Sequence, residues 1–210
     1  MFTVPQNKDL KRLVRARMTE TGENYTQALT HLQGQATLEP LPAAWHITGN
    51  RRPDYEAGLL PGVSYEGDPV AQLRLRPAVE PSGFGALVQT ISASRYLGRR
   101  VRFSAMLKAT GVTDWAGLWL RVDGSAGTLI LDNMEDRALH GTTDWTQASI
   151  VLDVTEQAKI LLFGALVSGA GAIDLTRLRF EEADPDMPVT AAESWVLPEE
   201  PQALDFGAAP

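Results

Sequence analysis

The chain has 210 residues and a formal charge of −7; with 44% hydrophobic and 21% charged side chains it carries enough apolar mass for a true core. It holds no cysteine, which excludes disulfides, thiolate metal sites and cysteine nucleophiles. No apolar run approaches the ~20 residues of a membrane span, and the opening MFTVPQNKDLKRLVRARM lacks the apolar stretch of a secretory signal, so a cytoplasmic protein with no membrane partner is expected.

Charge is unevenly spread: residues 1–35 carry a net +2 and the remainder −9, so the N-terminus could attract a polyanion that the body would repel. Three regions are expected: a helical hairpin over 1–37, a β-sandwich over 38–183 and an acidic, Pro-rich tail over 184–210. From Lys8 to Glu20, Leu10, Leu13, Val14 and Met18 fall at helical spacing, and Thr21-Gly22 reads as a stop. A second helix is predicted from Asn24 to Leu32, with Tyr25, Ala28, Leu29 and Leu32 inward. Helices this short cannot bury their apolar stripes alone, so they must dock on the body or on a second copy.

A strand-like Phe2-Thr3-Val4, a helix, Thr21-Gly22-Glu23 and then Tyr25-Thr26-Gln27-Ala28-Leu29 resembles the ribbon–helix–helix fold of small antitoxin-type repressors. The resemblance implies that two chains pair their ribbons in the major groove and set the second helix's N-terminus on a phosphate. Arg12, Arg15 and Arg17 on the basic helix face are the candidate DNA contacts. The ribbon here is short of polar base-reading side chains, and Pro5 interrupts strand pairing. A hairpin that packs on the body or joins two copies as a homodimer therefore stands beside the DNA reading.

After Glu39 the hydrophobic period changes from 3.6 to 2, with Gly, Pro, Asn and Asp between short runs. Leu73 and Leu75 alternate with polar neighbours; so do Val101, Phe103, Ala105 and Leu107. Further strands are predicted over Phe84–Ile91, Trp115–Val122, Thr128–Asp132, Ser149–Val154, Lys159–Val167 and Ala172–Phe180, while the Gly-rich Gly164–Gly171 reads as a turn. About eight strands without intervening helices predict a mostly-β fold of two antiparallel sheets packed face to face. The strings AGLWLRVDG, LDNMEDRALHGTTDW, VLDV and LLFGALVSGAGAIDLTRLRFEE resemble the jelly-roll, galactose-binding-like and carbohydrate-binding-module-like sandwiches attached to many bacterial enzymes and regulators. That resemblance spans roughly residues 45–182 and implies a binding module; a fold alone names no ligand.

Parity along Trp115–Val122 puts Ala116, Leu118, Leu120 and Val122 on one face, the natural core face. Trp115, Gly117, Trp119 and Arg121 share the other, a flat aromatic platform with space above Gly117 and a planar cation at one end. It suits a sugar or a planar small molecule, and Arg102 and Lys108 on the wet face of the preceding strand are expected to add to it. Burial of the indoles under a loop, the hairpin or the tail is the competing reading.

The polar segment Asp132–Trp145 offers Asp132, Glu135 and His140 as acid/base groups if the cleft is catalytic, as in a hydrolase or isomerase. Their spacing fits no metal motif, and Asp and Asn bonding their own backbone would explain it. Related sandwiches hold a structural calcium where the first and last strands meet; the resemblance points to Glu39, Asp174 and Glu181 for it, and no other cofactor is expected. The tail has five prolines, six acidic residues and no Lys or Arg from Asp184 on, with Trp195, Val196, Leu197 and Phe206 able to dock on the body or a partner. The leading function is non-catalytic small-molecule or glycan binding, as the sensor of a ligand-responsive regulator. An enzyme using the cleft and an oligomer-building or DNA-binding structural protein are the alternatives.

Overall fold

A computed structural model describes residues 7–22, 24–25, 28–29 and 37–191. Helix α1 spans Asn7–Thr21 and ends where expected: Gly22 takes φ +74° and its N–H donates to Met18 O at 3.1 Å. Tyr25, Ala28 and Leu29 are helical, with Ala28 N–H bonded to Asn24 O. Val14 and Ala28 are fully buried, but Leu13 and Tyr25 are 41% and 40% exposed, which corrects their expected inward placement. The ribbon Phe2–Pro5, Leu32 and the tail residues Trp195, Val196, Leu197 and Phe206 lie outside the described residues.

The body is the predicted two-sheet antiparallel jelly roll, with eleven strands among the described residues where about eight were expected. In chain order they are β1 (Trp45–Thr48), β2 (Tyr55–Tyr65), β3 (Asp68–Leu75), β4 (Phe84–Ser92), β5 (Arg99–Thr110) and β6 (Val112–Gly124). Then come β7 (Gly127–Asp132), β8 (Leu139–Gly141), β9 (Thr146–Val154), β10 (Ala158–Ser168) and β11 (Ala172–Glu182). One sheet runs β1-β4-β10-β6-β7 with β8 also on β6; the other runs β2-β3-β11-β5-β9. The strand missed in 55–65 carries Pro61 and Gly62 (φ +69°), and its register with β3 shifts between Leu59 and Ser64. Gly164, expected in a turn, sits inside β10 between Leu87 of β4 and β6; a Cβ there would fall 1.8 Å from Leu87 O. The turn proper holds Gly169 and Gly171, at φ +75° and +102°.

The inner faces meet through the predicted alternation. Val101, Phe103, Ala105 and Leu107 of β5 and Ala116, Leu118, Leu120 and Val122 of β6 are all buried in one cluster. Phe103 and Phe180 from one sheet pack on Phe163 from the other at centroid distances of 5.1 and 4.6 Å. Burial of these side chains, at about 1.5–3 kcal/mol each, is the main force joining the sheets.

The largest departure is the relation of β5 to β6. Only Gly111 separates them, at φ +60°, and the chain there passes from one sheet to the other instead of forming a hairpin. The two strands consequently turn their outer faces to opposite sides of the molecule. The tail starts as a docked segment. Arg100 grips Asp153 at 2.7 and 2.8 Å and donates to the carbonyls of Pro185 and Met187 at 2.6 Å each. Farther on, Thr190 N–H bonds to Val151 O on the edge strand β9.

Candidate functional site

The outer face of the β4-β10-β6 part of the first sheet is built in rows by strand register. Trp119 lies opposite Gly164 and Val88, Gly117 opposite Leu166 and Ala86, Trp115 opposite Ser168 and Phe84, and Arg121 opposite Leu162 and Thr90. Trp115, Trp119 and Arg121 thus share one face, the side away from the core. Trp119, Ala86, Val88 and Leu166 form a small apolar cluster of their own, edged by Phe84, Trp115 and Leu162. Gly164 has no side chain, so the Trp119 indole can pack across β10 onto β4.

The two indoles differ. Trp119 is 9% exposed, and the Arg121 guanidinium lies over its ring at 5.3 Å from the centroid, a cation–π stack. Trp115 is half-buried at the edge of the cluster. The space expected above Gly117 is partly taken: a Cβ there would lie 3.1 Å from the Met134 side chain. Met134 fills the gap between β7 and β8 along β6, where its sulfur accepts from Leu118 N–H at 3.3 Å. Beyond Arg121 the face continues with Asp123, and it carries Leu131 and Ile160 as exposed apolar neighbours.

Arg121 and Asp123 are the chemically informative pair. One guanidinium nitrogen donates to Asp123 Oδ2 at 2.7 Å, while Arg121 Nε and Asp123 Oδ1 are buried without a hydrogen-bond partner. Each orphaned group costs about 1–3 kcal/mol. Asp123, Leu131, Leu162 and Leu166 were not singled out from sequence. Strand parity was the available signal for Asp123 and the leucines of β10, but which strands adjoin β6 is a matter of register.

Arg102 and Lys108 do not join this face. They lie on β5 in the opposite sheet, Arg102 at 4.0 Å from Glu181 and Lys108 opposite Asp174. That outer face carries a polar ladder. Asp174 accepts from Gln72 Nε2 at 2.7 Å, Gln72 Oε1 accepts from Arg74 at 3.2 Å, and Arg74 Nε donates to Glu56 at 2.7 Å. Burial pushes the Asp174 carboxyl up to about 6, against the Gln72 hydrogen bond and the charges of Lys108 and Arg74.

The proposed calcium set is not assembled. Asp174 is spent on Gln72, and Glu181 is seven residues along the same strand, roughly 20 Å away. Glu39 forms a backbone bridge to Leu59 of β2, since the last strand pairs with β3 and β5 and not with the first. Among the described residues no three His, Asp or Glu side chains gather to hold a metal.

Nor do Asp132, Glu135 and His140 form an acid/base group. Asp132 is buried, accepting from Met134 N–H at 2.9 Å, Arg137 at 2.6 Å and Thr190 at 2.7 Å. Glu135 N–H bonds to Asn133 Oδ1, and the exposed His140 ring donates from Nδ1 to Asp114 O at 2.6 Å. The segment is held by Asp and Asn side chains on nearby backbone, the turn chemistry its composition suggested. Arg12 and Arg15 are exposed on α1 and Arg17 is half-buried. No helix among the described residues is long and apolar enough to cross a membrane.

No protein-family model matches the chain. An uncharacterized HTH-type transcriptional regulator of Bacillus subtilis (strain 168), YbfP, is 32% identical over 184 residues, which cover 87% of this chain and 62% of that protein. The chain therefore spans less than two thirds of the length of the curated relative it matches. Among solved structures, the N-terminal CBM22-1-CBM22-2 tandem domain of Paenibacillus barcinonensis Xyn10C superposes with a TM-score of 0.51 at 14% identity, over 73% of this chain and 48% of that one. The CBM22-1 xylan-binding domain of the same protein gives 0.49 at 14% identity over 69% and 88%. The tandem-domain superposition and the strand order together give the body the jelly-roll fold found in carbohydrate-binding modules.

Proposed function

We propose that the sandwich is a non-catalytic binding module for a glycan or other hydroxylated small molecule, acting as the sensor of a ligand-responsive transcriptional regulator. The observation that carries the ligand class is the Arg121–Asp123 ion pair on the outer face, whose side chains stay partly exposed and offer donors and an acceptor side by side. A ligand hydroxyl both donates and accepts, so a diol can bridge the exposed edges of the guanidinium and the carboxylate. Leu131, opposite Arg121, and Ile160, opposite Asp123, flank them with exposed apolar surface on which a sugar ring can rest, and Trp115 offers a stacking face about 20 Å farther along β6. The regulator reading is supported by the Bacillus subtilis relative and by the exposed Arg12 and Arg15 on α1, which fit phosphate contact together with Arg17.

A thermal-shift and calorimetric screen of mono- and oligosaccharides tests the first half. A binding sugar should lose roughly tenfold or more in affinity to Asp123→Asn, and an oligosaccharide long enough to reach along β6 should lose as much to Trp115→Ala, with the melting temperature of the free protein kept. No sugar-dependent shift, or indifference to both substitutions, sinks the reading. For the second half, gel shifts on DNA should weaken with salt and on joint replacement of Arg12, Arg15 and Arg17 by Ala. Absence of any shift at low salt removes direct DNA contact by this chain.

A further inference from the structure

The two sheets leave an opening between them, far along the first sheet from β6. A cavity of about 630 Å³ lies where β1 and β2, the outermost strands of opposite sheets, face one another. Its walls include Trp45, Tyr55, Ala57 and Leu87, with Leu41 from the segment leading into β1. Tyr55 and Leu87 are both 1% exposed, so the cavity reaches the core.

These walls are braced. The Tyr55 phenol lies 2.7 Å from Gly169 O and 2.9 Å from Gly83 O, tying two loops, and its ring occupies the place a Cβ on Gly85 would need. Trp45 meets Phe163 edge-on at 6.0 Å. Collapse of the opening would break these contacts, so an apolar volume stays available to a guest.

The mouth is basic in a protein whose formal charge is −7. Arg52 and Arg76 line it. Arg51 is paired with Asp54 at 2.6 Å, while the one carboxylate of Glu56 is divided between Arg74 at 2.7 Å and Arg76 at 3.0 Å. Of the two guanidiniums that line the mouth, Arg76 is thus paired with Glu56 and Arg52 is not. Arg52 is exposed and has no hydrogen bond or ion pair from its guanidinium among the described residues.

We infer that this cavity binds a small monoanion with an apolar body, an aromatic or aliphatic carboxylic acid, with its body against Trp45, Ala57 and Leu87 and its carboxylate on Arg52. The volume falls within the range of small-ligand sites, and apolar walls reward an apolar body. The guanidinium fork matches a carboxylate in two parallel hydrogen bonds. One unpaired guanidinium calls for one negative charge, not for the several of a phosphate ester. The site is independent of Trp115 and Arg121, so either can fail without the other.

The full chain is titrated with 2-naphthoate, phenylacetate and octanoate, each beside its neutral amide, and binding is read by tryptophan fluorescence and melting temperature. At least one acid should bind saturably and tenfold or more tighter than its amide. Arg52→Gln, at an exposed position that leaves the fold intact, should bring that acid down to its amide's affinity, whereas Trp115→Ala should change neither. The inference is overturned if none of the acids saturates, if acid and amide bind alike, or if Arg52→Gln leaves the preference for the acid in place.

Discussion

The outer faces of the two sheets solve the same problem in opposite ways. On the β3-β11-β5 side, polar side chains are strung from Glu56 through Arg74 and Gln72 to Asp174, each bonded to the next. On the β4-β10-β6 side, aromatic and aliphatic side chains cover one another, and the polar pair beside them keeps one unmet donor and one unmet acceptor. A saturated network holds structure and has little left to offer a ligand. An apolar face that ends in unsatisfied polar atoms is costly to the fold by itself, and the partly exposed ion pair that holds them keeps other donor and acceptor positions for a ligand.

The sharpest way to break this comparison is Trp119→Ala. Trp119 is nearly buried on Ala86, Val88 and Leu166, so its loss should destabilise the protein by about 3–5 kcal/mol in chemical denaturation. Trp115→Ala, at the half-buried edge, should cost much less. Equal costs would show that both indoles are structural and that the aromatic face has no ligand to serve.

Next comes the polar ladder, through its pH dependence. The folded-state pKa of Asp174, about 6, lies above its ordinary value of 3.8, so between these values the native state binds a proton that the unfolded state has released. Stability from this group is therefore present at low pH and is lost as pH rises through about 6, by about 3 kcal/mol in all. Asp174→Asn should keep the Gln72 bond and flatten the difference in unfolding free energy between pH 5 and pH 7.5. A wild-type stability unchanged by Asp174→Asn across that range would show the ladder to be better solvated than its burial indicates.

The smallest effect concerns the docked tail, a third kind of surface. Thr190 accepts from Val151 N–H at 2.8 Å and donates to Asp132 Oδ2 at 2.7 Å. Thr190→Val should lose about 1–2 kcal/mol and speed amide exchange at Val151, while leaving ligand binding on the aromatic face unaltered. Loss of ligand binding in that variant would mean that the tail helps to shape the site.

Much of this architecture was legible because strands carry a period of two. The alternation in β5 and β6 located both inner faces, and the pairing of Trp115, Trp119 and Arg121 on one side of β6 followed from parity alone. Parity says nothing about which sheet a strand enters, so Arg102 and Lys108 were expected beside residues from which the turn at Gly111 separates them. Asp132 looked like a candidate acid because its partners, Arg137 and Thr190, are respectively five and 58 residues away.

Local order in the chain thus determined the β class, the oily side of each major strand, the end of α1 at Gly22 and the shared side of the two indoles, since these depend on neighbours within a few residues. Only the folded structure decided that one indole is covered while the other stays at the edge, that a guanidinium and a carboxylate are left partly unbonded, and that an opening lies between β1 and β2. Those properties come from side chains brought together across strands, and distance along the chain carries no record of such meetings.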